Sequence, residues 1–305
     1  MGPTPVAARR RPTATLPPRA RVALHPPYDL DHVLSFLATR AIPGVERVDG
    51  DGYARTLALP SGAAVVRVER AGRHVAPRLG VWGAPAGARA AIAADFRRAF
   101  DLDAEPDRIA HALGADPLLA PLVKRRPGLR VPGAWDPFEC AVRALLGQQV
   151  SVAAGRTFVA RLVARAGAAL PRPIDGLTHV FPSPAAVATA ELSGLGLTTA
   201  RTGALRGLAR AVAEGRLDLR AGVSDVVAGL VALQGIGDWT AQYVALRGLG
   251  DRDAFPAADL VLRRAAAGGG PPLTPGALAA RAEAWRPFRG YAVMHLWSAA
   301  AARTG

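Results

Sequence analysis

"GIGDWTAQYVALRGLGDRDAFPAAD" occupies residues 235–259. It opens on a Gly-Ile-Gly turn, continues with helical spacing of apolar and aromatic residues, and closes on Asp259 at the head of another apolar run. The preceding "VAGLVAL" (227–233) ends a helix of its own, so the region reads as helix, tight hairpin, helix, loop and a further helix. Gly235 and Gly237 free the backbone for positive φ and for close approach to a ligand. The first-turn N–H groups of the second helix point outward with the positive dipole end and make an anion site. Two readings stand for the glycines, phosphate binding and steric relief at a helix–helix turn. Ile236 plugs between the helices as an anchor.

Trp239 and Tyr243 are four apart and project from one helix face. Core packing and a ligand wall both fit that spacing. Trp297, on the last helix, is a third aromatic with no position fixed by spacing. Asp259 follows Gly237 by 259 − 237 = 22 residues, room for one helix and a loop. It reads as a helix cap, worth ~1 kcal/mol, or as a catalytic carboxylate facing a developing cation. The roles are compatible.

The chain of 305 residues carries 38 Lys plus Arg against 24 Asp plus Glu, a net charge of +14. That excess favours a polyanionic partner, nucleic acid first. Lys124 is the only lysine; arginine suits planar, bidentate phosphate contacts and does not serve as a Schiff-base amine. The single cysteine, Cys140, excludes an internal disulfide framework and a four-thiolate cluster, and fits a reducing, cytoplasmic home. No apolar run is long enough to span a membrane, and no apolar h-region follows Arg9, Arg10 and Arg11. His74, His111 and His179 lack partners at metal spacing.

Composition divides the chain in three. Residues 1–24, rich in Pro and Arg without periodicity, read as a disordered tail. Residues 25–115 read as a compact α+β module: a helix in "DLDHVLSFLATRA", short strands in "YARTLAL" (53–59), "AAVVRVER" (63–70) and "RHVAPRL" (73–79), and a returning helix in "ARAAIAADFRRAFDL". Beyond it strand signals vanish, and residues 116–305 read as all-helical, with two helices joined at "GQQVS" (147–151) and Thr274 and Pro275 opening the last pair. The fold class is α+β, a small antiparallel sheet module followed by a helical region with a central cleft.

The hairpin, the Trp-Thr-Ala helix and "DAFPAAD" (253–259) together resemble the helix–hairpin–helix (HhH-GPD) DNA glycosylase superfamily, and within it the AlkA type, the 3-methyladenine-DNA glycosylase II family. "PPYDLDHVLSFLATRAIPGVE" (26–46), "RRPGLRVPGAWDPFECAVRALLGQQVSVAAG" (125–155) and "WRPFRGYAVMHLW" (285–297) resemble the same family in the same order, so the likeness spans roughly residues 25–302. It implies Asp259 as the catalytic aspartate and Trp239, Tyr243, Trp297 and Phe36 as the aromatic walls of a base pocket. It implies that Gly235, Gly237 and Thr240 grip the DNA backbone and that Gln149 stands where relatives place a wedge. Some relatives have an apolar residue there, and Gln234 replaces a frequent proline before the hairpin. No cofactor is implied beyond a structural monovalent cation, Na+ or K+, on carbonyls near Val231, Leu233 and Ile236.

The activity implied is monofunctional excision of cationic N-methyl purines such as 3-methyladenine, by a nucleoid-associated monomer acting on double-stranded DNA with no membrane involvement. Base flipping presents the target, and the lesion's own charge makes it a good leaving group that stacks on electron-rich rings. Relatives that cleave strands carry a lysine where this chain has Trp239. Two other readings remain: a non-catalytic protein that binds or bends DNA, and a glycosylase for a neutral lesion such as hypoxanthine or uracil.

Overall fold

The computed structural model describes residues 20–21, 24–50, 52–70 and 77–302. In the N-terminal module, β1 (Ala20–Arg21), β2 (Glu46–Asp49), β3 (Gly52–Leu59), β4 (Gly62–Glu69) and β5 (Arg78–Trp82) form an antiparallel sheet in the order β1-β5-β4-β3-β2. Two helices, α1 (Leu30–Ala38) and α2 (Arg89–Ala99), cover one face. Leu30, Val33, Leu34 and Leu37 of α1 meet Tyr53, Val66 and Val68 of the sheet and Ile92 and Phe96 of α2. Asp29 caps α1, its carboxylate accepting from His32 N at 2.9 Å, which fixes where the helix starts and therefore which residues face the cleft.

The chain then passes through α3 (Pro106–Gly114) and α4 (Ala120–Arg125) to α5 (Pro137–Leu146) and α6 (Val152–Ala166), on either side of "GQQVS". After α7 (Pro184–Thr189) and α8 (Thr199–Ala213), α9 (Val223–Val231) and α10 (Asp238–Val244) flank the hairpin. Beyond α10 a single π-helical turn, Ala245–Leu249, ends at Gly250, whose φ of 78° closes the helix. Three helices complete the fold, α11 (Leu260–Ala265), α12 (Pro275–Ala282) and α13 (Arg289–Ala301). They bury two separate cores: α5 to α10 pack around Leu145, Leu162, Leu205 and Leu230, while α3, α4 and α11 to α13 pack around Leu113, Leu262, Trp285 and Tyr291.

Several expectations are corrected. The second region is not all-helical: β6 (Ala169–Ile174) and β7 (Leu177–His179) form a hairpin. Asp175 and Gly176 turn it with φ of 49° and 82°, the Asp-Gly signal of a tight hairpin, which the prolines of "ALPRPI" obscure. Leu177 is buried with Ala54 and Val65, so this hairpin covers the far face of the N-terminal sheet. β2 escapes period-based reading because it is four residues long and its Glu46 is buried. The strand expected at 73–79 lies later, at β5; residues 73–76 fall outside the described residues, as does His74. The tail expected through residue 24 is structured at Ala20–Arg21, which pair with Leu79 and Arg78; residues 1–19 lie outside the described residues.

A buried ionic cluster ties the module to the helical region. Arg55 of β3 donates to Glu139 of α5 at 2.6 Å, and Arg143 of α5 reaches both Glu139 and Glu46. Burial opposes the charge on Glu46, but Arg143 and Arg55 outweigh it and hold the carboxyl below its ordinary range. Among the described residues no helix is long and apolar enough to cross a membrane.

Candidate active site

A cleft of about 780 Å3 opens where α1, α5, α10 and α13 meet, and Asp259 lies in its wall. The loop before Asp259 is anchored at Phe255, buried edge-on against Trp285 at 5.9 Å and held by its N–H to Gln242. Asp259 ends that loop as the N-cap of α11: Oδ1 accepts from Leu262 N at 2.9 Å. The same oxygen accepts from Trp297 Nε1 at 3.2 Å, and Oδ2 accepts from Trp239 Nε1 at 2.9 Å. Cap and site residue are thus one group. The side chain is almost entirely buried, with 9% of the residue exposed, and three N–H donors from three elements fix its plane.

Tyr243 joins the aromatic set. Its ring stacks on Trp239 at 5.4 Å and 25° and tilts against Trp297 at 6.1 Å. All three rings are half-buried and line the cleft. The structure therefore brings Asp259, Trp239, Tyr243 and Trp297 together, a convergence that sequence spacing left open for Trp297. Phe36, from α1, also lines the cleft. Its ring is not a free wall, however. The Arg40 guanidinium lies 3.7 Å from its centroid and that of Arg247 lies 4.3 Å from it.

The hairpin follows its sequence logic in part. Gly235 has φ of 83°, and a Cβ there would come 2.6 Å from Ala204 Cβ, so glycine is required twice over. Gly237 caps α10 with an ordinary φ of −95°, and a Cβ there would meet nothing within 4 Å; its glycine answers no demand from the protein itself. Ile236 is buried in the first helical core. Thr240 is 1% exposed, and its hydroxyl accepts from Gln148 Nε2 at 2.8 Å. Gln148 also donates to Gly235 O at 3.2 Å, clamping the hairpin to the end of α5. Val231 and Leu233 precede the turn, and Leu233 O accepts from Ile236 N at 3.1 Å. Gln149 stands exposed in the α5–α6 loop with φ of 55°. Exposed Val152 and Val261 flank the cleft mouth.

Sequence reasoning missed Gln148, Arg40 and Arg247. Only the Gln-Gln doublet hinted at the first. The π-helical turn that aims Arg247 inward has no periodic signature. Among the described residues no group of three His, Cys, Asp or Glu could hold a metal ion.

The architecture is that of a solved DNA glycosylase: the 3-methyladenine DNA-glycosylase from Archaeoglobus fulgidus superposes with a TM-score of 0.78 over 91% of this chain and 96% of its own, at 22% identity. Residues 19–136 match the family model of the AlkA N-terminal domain. The DNA-3-methyladenine glycosylase 2 of Escherichia coli is 37% identical over 283 residues, 89% of this chain and 94% of its own. This chain belongs to the AlkA family of DNA-3-methyladenine glycosylases. The probable bifunctional transcriptional activator/DNA repair enzyme AlkA of Mycobacterium tuberculosis is 40% identical over 290 residues, 91% of this chain but 56% of that protein. The chain thus spans little more than half of that relative's length.

Proposed function

We propose that this protein is a monofunctional DNA glycosylase that removes alkylated purines from double-stranded DNA and so begins base excision repair. The observation that carries the reading is Asp259, nearly buried and held by Trp239, Trp297 and Leu262 N–H groups beside stacked rings. A nucleotide rotated from the duplex places its sugar against this carboxylate. The C1′–N bond breaks with its electron pair leaving on the base, positive charge grows on the sugar, and Asp259 stabilises it. Water then adds at C1′ and gives up its proton, with Asp259 orienting the attacking oxygen. An N-alkylated purine is already cationic and leaves without a strong general acid; its ring stacks on Trp239 and Trp297.

The hairpin at Gly235–Gly237 holds the backbone phosphate, and Gln149 fills the space that the flipped nucleotide vacates. A monovalent cation, Na+ or K+, on the carbonyls of Val231, Leu233 and Ile236 supports that grip; neutral oxygens suit a hard cation. Replacing Na+ and K+ by tetramethylammonium at constant ionic strength then weakens DNA binding. The protein acts as a monomer in the nucleoid-containing cytoplasm.

The test is incubation with methylated duplex DNA, followed by chromatography of released bases and gel analysis of the strands. Free 3-methyladenine with strands intact until alkali is the expected result. Binding without release supports a DNA-binding role alone, and strand cleavage without alkali contradicts the monofunctional mechanism.

A further inference from the structure

The two DNA contacts named above come from separate helix pairs. The phosphate grip belongs to the turn between α9 and α10, and the gap-filling Gln149 belongs to the loop between α5 and α6. One side chain joins them. Gln148 Nε2 donates to Gly235 O at 3.2 Å and to Thr240 Oγ1 at 2.8 Å, so it holds both the turn and the start of α10. Its backbone is held from a third side, where Arg201 of α8 donates from Nη2 to Gln148 O at 2.8 Å. Gln148 is half-buried, and its neighbour Gln149 is exposed.

The loop that carries Gln149 is short and pinned at both ends. Ser151, the N-cap of α6, accepts from Ala154 N at 3.2 Å. α6 passes so close to the end of α5 that a Cβ on Gly155 would come 3.2 Å from Gly147 Cα. Between Gln148 and Ser151 lie only Gln149 and Val150. Gln149 takes φ of 55°, a left-handed conformation that a residue with a side chain keeps where its surroundings impose it. Gln148 supplies that constraint from one side, so a phosphate that fixes the hairpin also fixes the loop.

Rotating a paired nucleotide out of the duplex costs unstacking and unpairing energy. Contacts elsewhere on the duplex offset that cost only if they are rigidly connected to the side chain that fills the gap; a loose loop spends the gain on its own ordering. We propose that Gln148 is a positioning residue for base flipping: its amide couples the hairpin's phosphate contact to the insertion of Gln149, with Arg201 as the brace behind it. The inference rests on the glycosylase reading above and gives a role to a residue to which that reading gives none.

The experiment is single-turnover release of one 7-methylguanine from the same labelled strand annealed to either of two complements. One places cytosine opposite the lesion, and the other a tetrahydrofuran abasic analogue; only the first requires a base pair to be broken. Gln148→Met keeps the length and removes both donors. Its rate on the paired lesion is expected to fall about 5- to 100-fold, the span of two ordinary hydrogen bonds. Its rate on the unpaired lesion should stay within about threefold of wild type, because an unpaired base flips at little cost. Arg201→Met should show the same pattern and supplies a second reading should Gln148→Met fold poorly. In a Gln149→Ala background, Gln148→Met should add less than about twofold on the paired lesion, since the coupling then has nothing to insert. A merely structural role lowers both duplexes alike. An equal fall on both, an unchanged rate on both, or additive losses in the double variant overturns the proposal and leaves the glycosylase reading intact. Release from neither duplex by the wild type overturns both.

Discussion

Asp259 combines two jobs that are usually weighed as rivals. As N-cap it satisfies Leu262 N–H; as site residue it receives two indole N–H groups from helices far apart in sequence. A side chain that ends a loop and starts a helix has its backbone fixed on both sides, so its carboxylate is positioned without cost at the moment of reaction. Trp297→Phe keeps an aromatic ring and removes one of the two indole donors. A hydrogen bond to a charged group contributes about 1.5–3 kcal/mol, so single-turnover base release should fall roughly 10- to 100-fold with DNA affinity little changed. An undiminished rate would mean that the indole only packs. At this scale the residue types were legible in sequence and their partners were not. Trp239 and Tyr243 share a face by helical spacing alone, whereas the covering of Phe36 by Arg40 and Arg247 arises from three segments meeting in space.

At the scale of elements, the hairpin separates what the fold needs from what a ligand needs. Gly235 is demanded by its φ and by Ala204. Gly237→Ala, by contrast, introduces a methyl into open space at a helix cap. It should cost less than about 1 kcal/mol of stability while, on the proposed phosphate contact at this turn, weakening DNA binding several-fold. Urea denaturation and fluorescence anisotropy on the same preparation check both halves; unaltered affinity would remove the hairpin from the DNA interface. The helix–hairpin–helix was readable because glycines and apolar periodicity agree there. The β6–β7 hairpin was not, because Pro171 and Pro173 interrupt its first strand and only Leu177 is buried among its outward-facing residues.

Across the whole molecule, the N-terminal module does more than decorate the helical region. It delivers Phe36 and Arg40 to the cleft and is locked there by the Arg55–Glu139–Arg143–Glu46 cluster and by Asp101, which accepts from Tyr291 of α13. The same junction carries two titrating histidines. Burial lowers His295 to about 4, with His32 and Arg126 adding to the shift; burial likewise lowers His32 to about 4, with Asp29 opposing and Arg126 adding. The unfolded chain takes up these protons near pH 6.5 and the folded chain refuses them. Stability present above pH 6.5 is therefore lost as pH falls toward 4, at about 1.4 kcal/mol per unit for each group. Burial raises Asp101 to about 6, and it works in the opposite sense between its ordinary range and pH 6. The difference between wild type and His295→Gln is thus the quantity to read. The variant should lose less stability between pH 7 and 4.5 by thermal or urea unfolding, and parallel curves would place His295 outside the acid response. That a small sheet module precedes a mostly helical region was visible in composition; the interlocking was not, since its charges lie in short strands and helix interiors.

The most direct measurement is single-turnover base release from methylated duplex by Asp259→Asn beside the wild type, with DNA affinity measured on both. Asparagine retains a cap oxygen for Leu262 N–H and loses the negative charge. The mechanism predicts a fall of about 100- to 1,000-fold or more in release with near-normal binding. Release at the wild-type rate would contradict it.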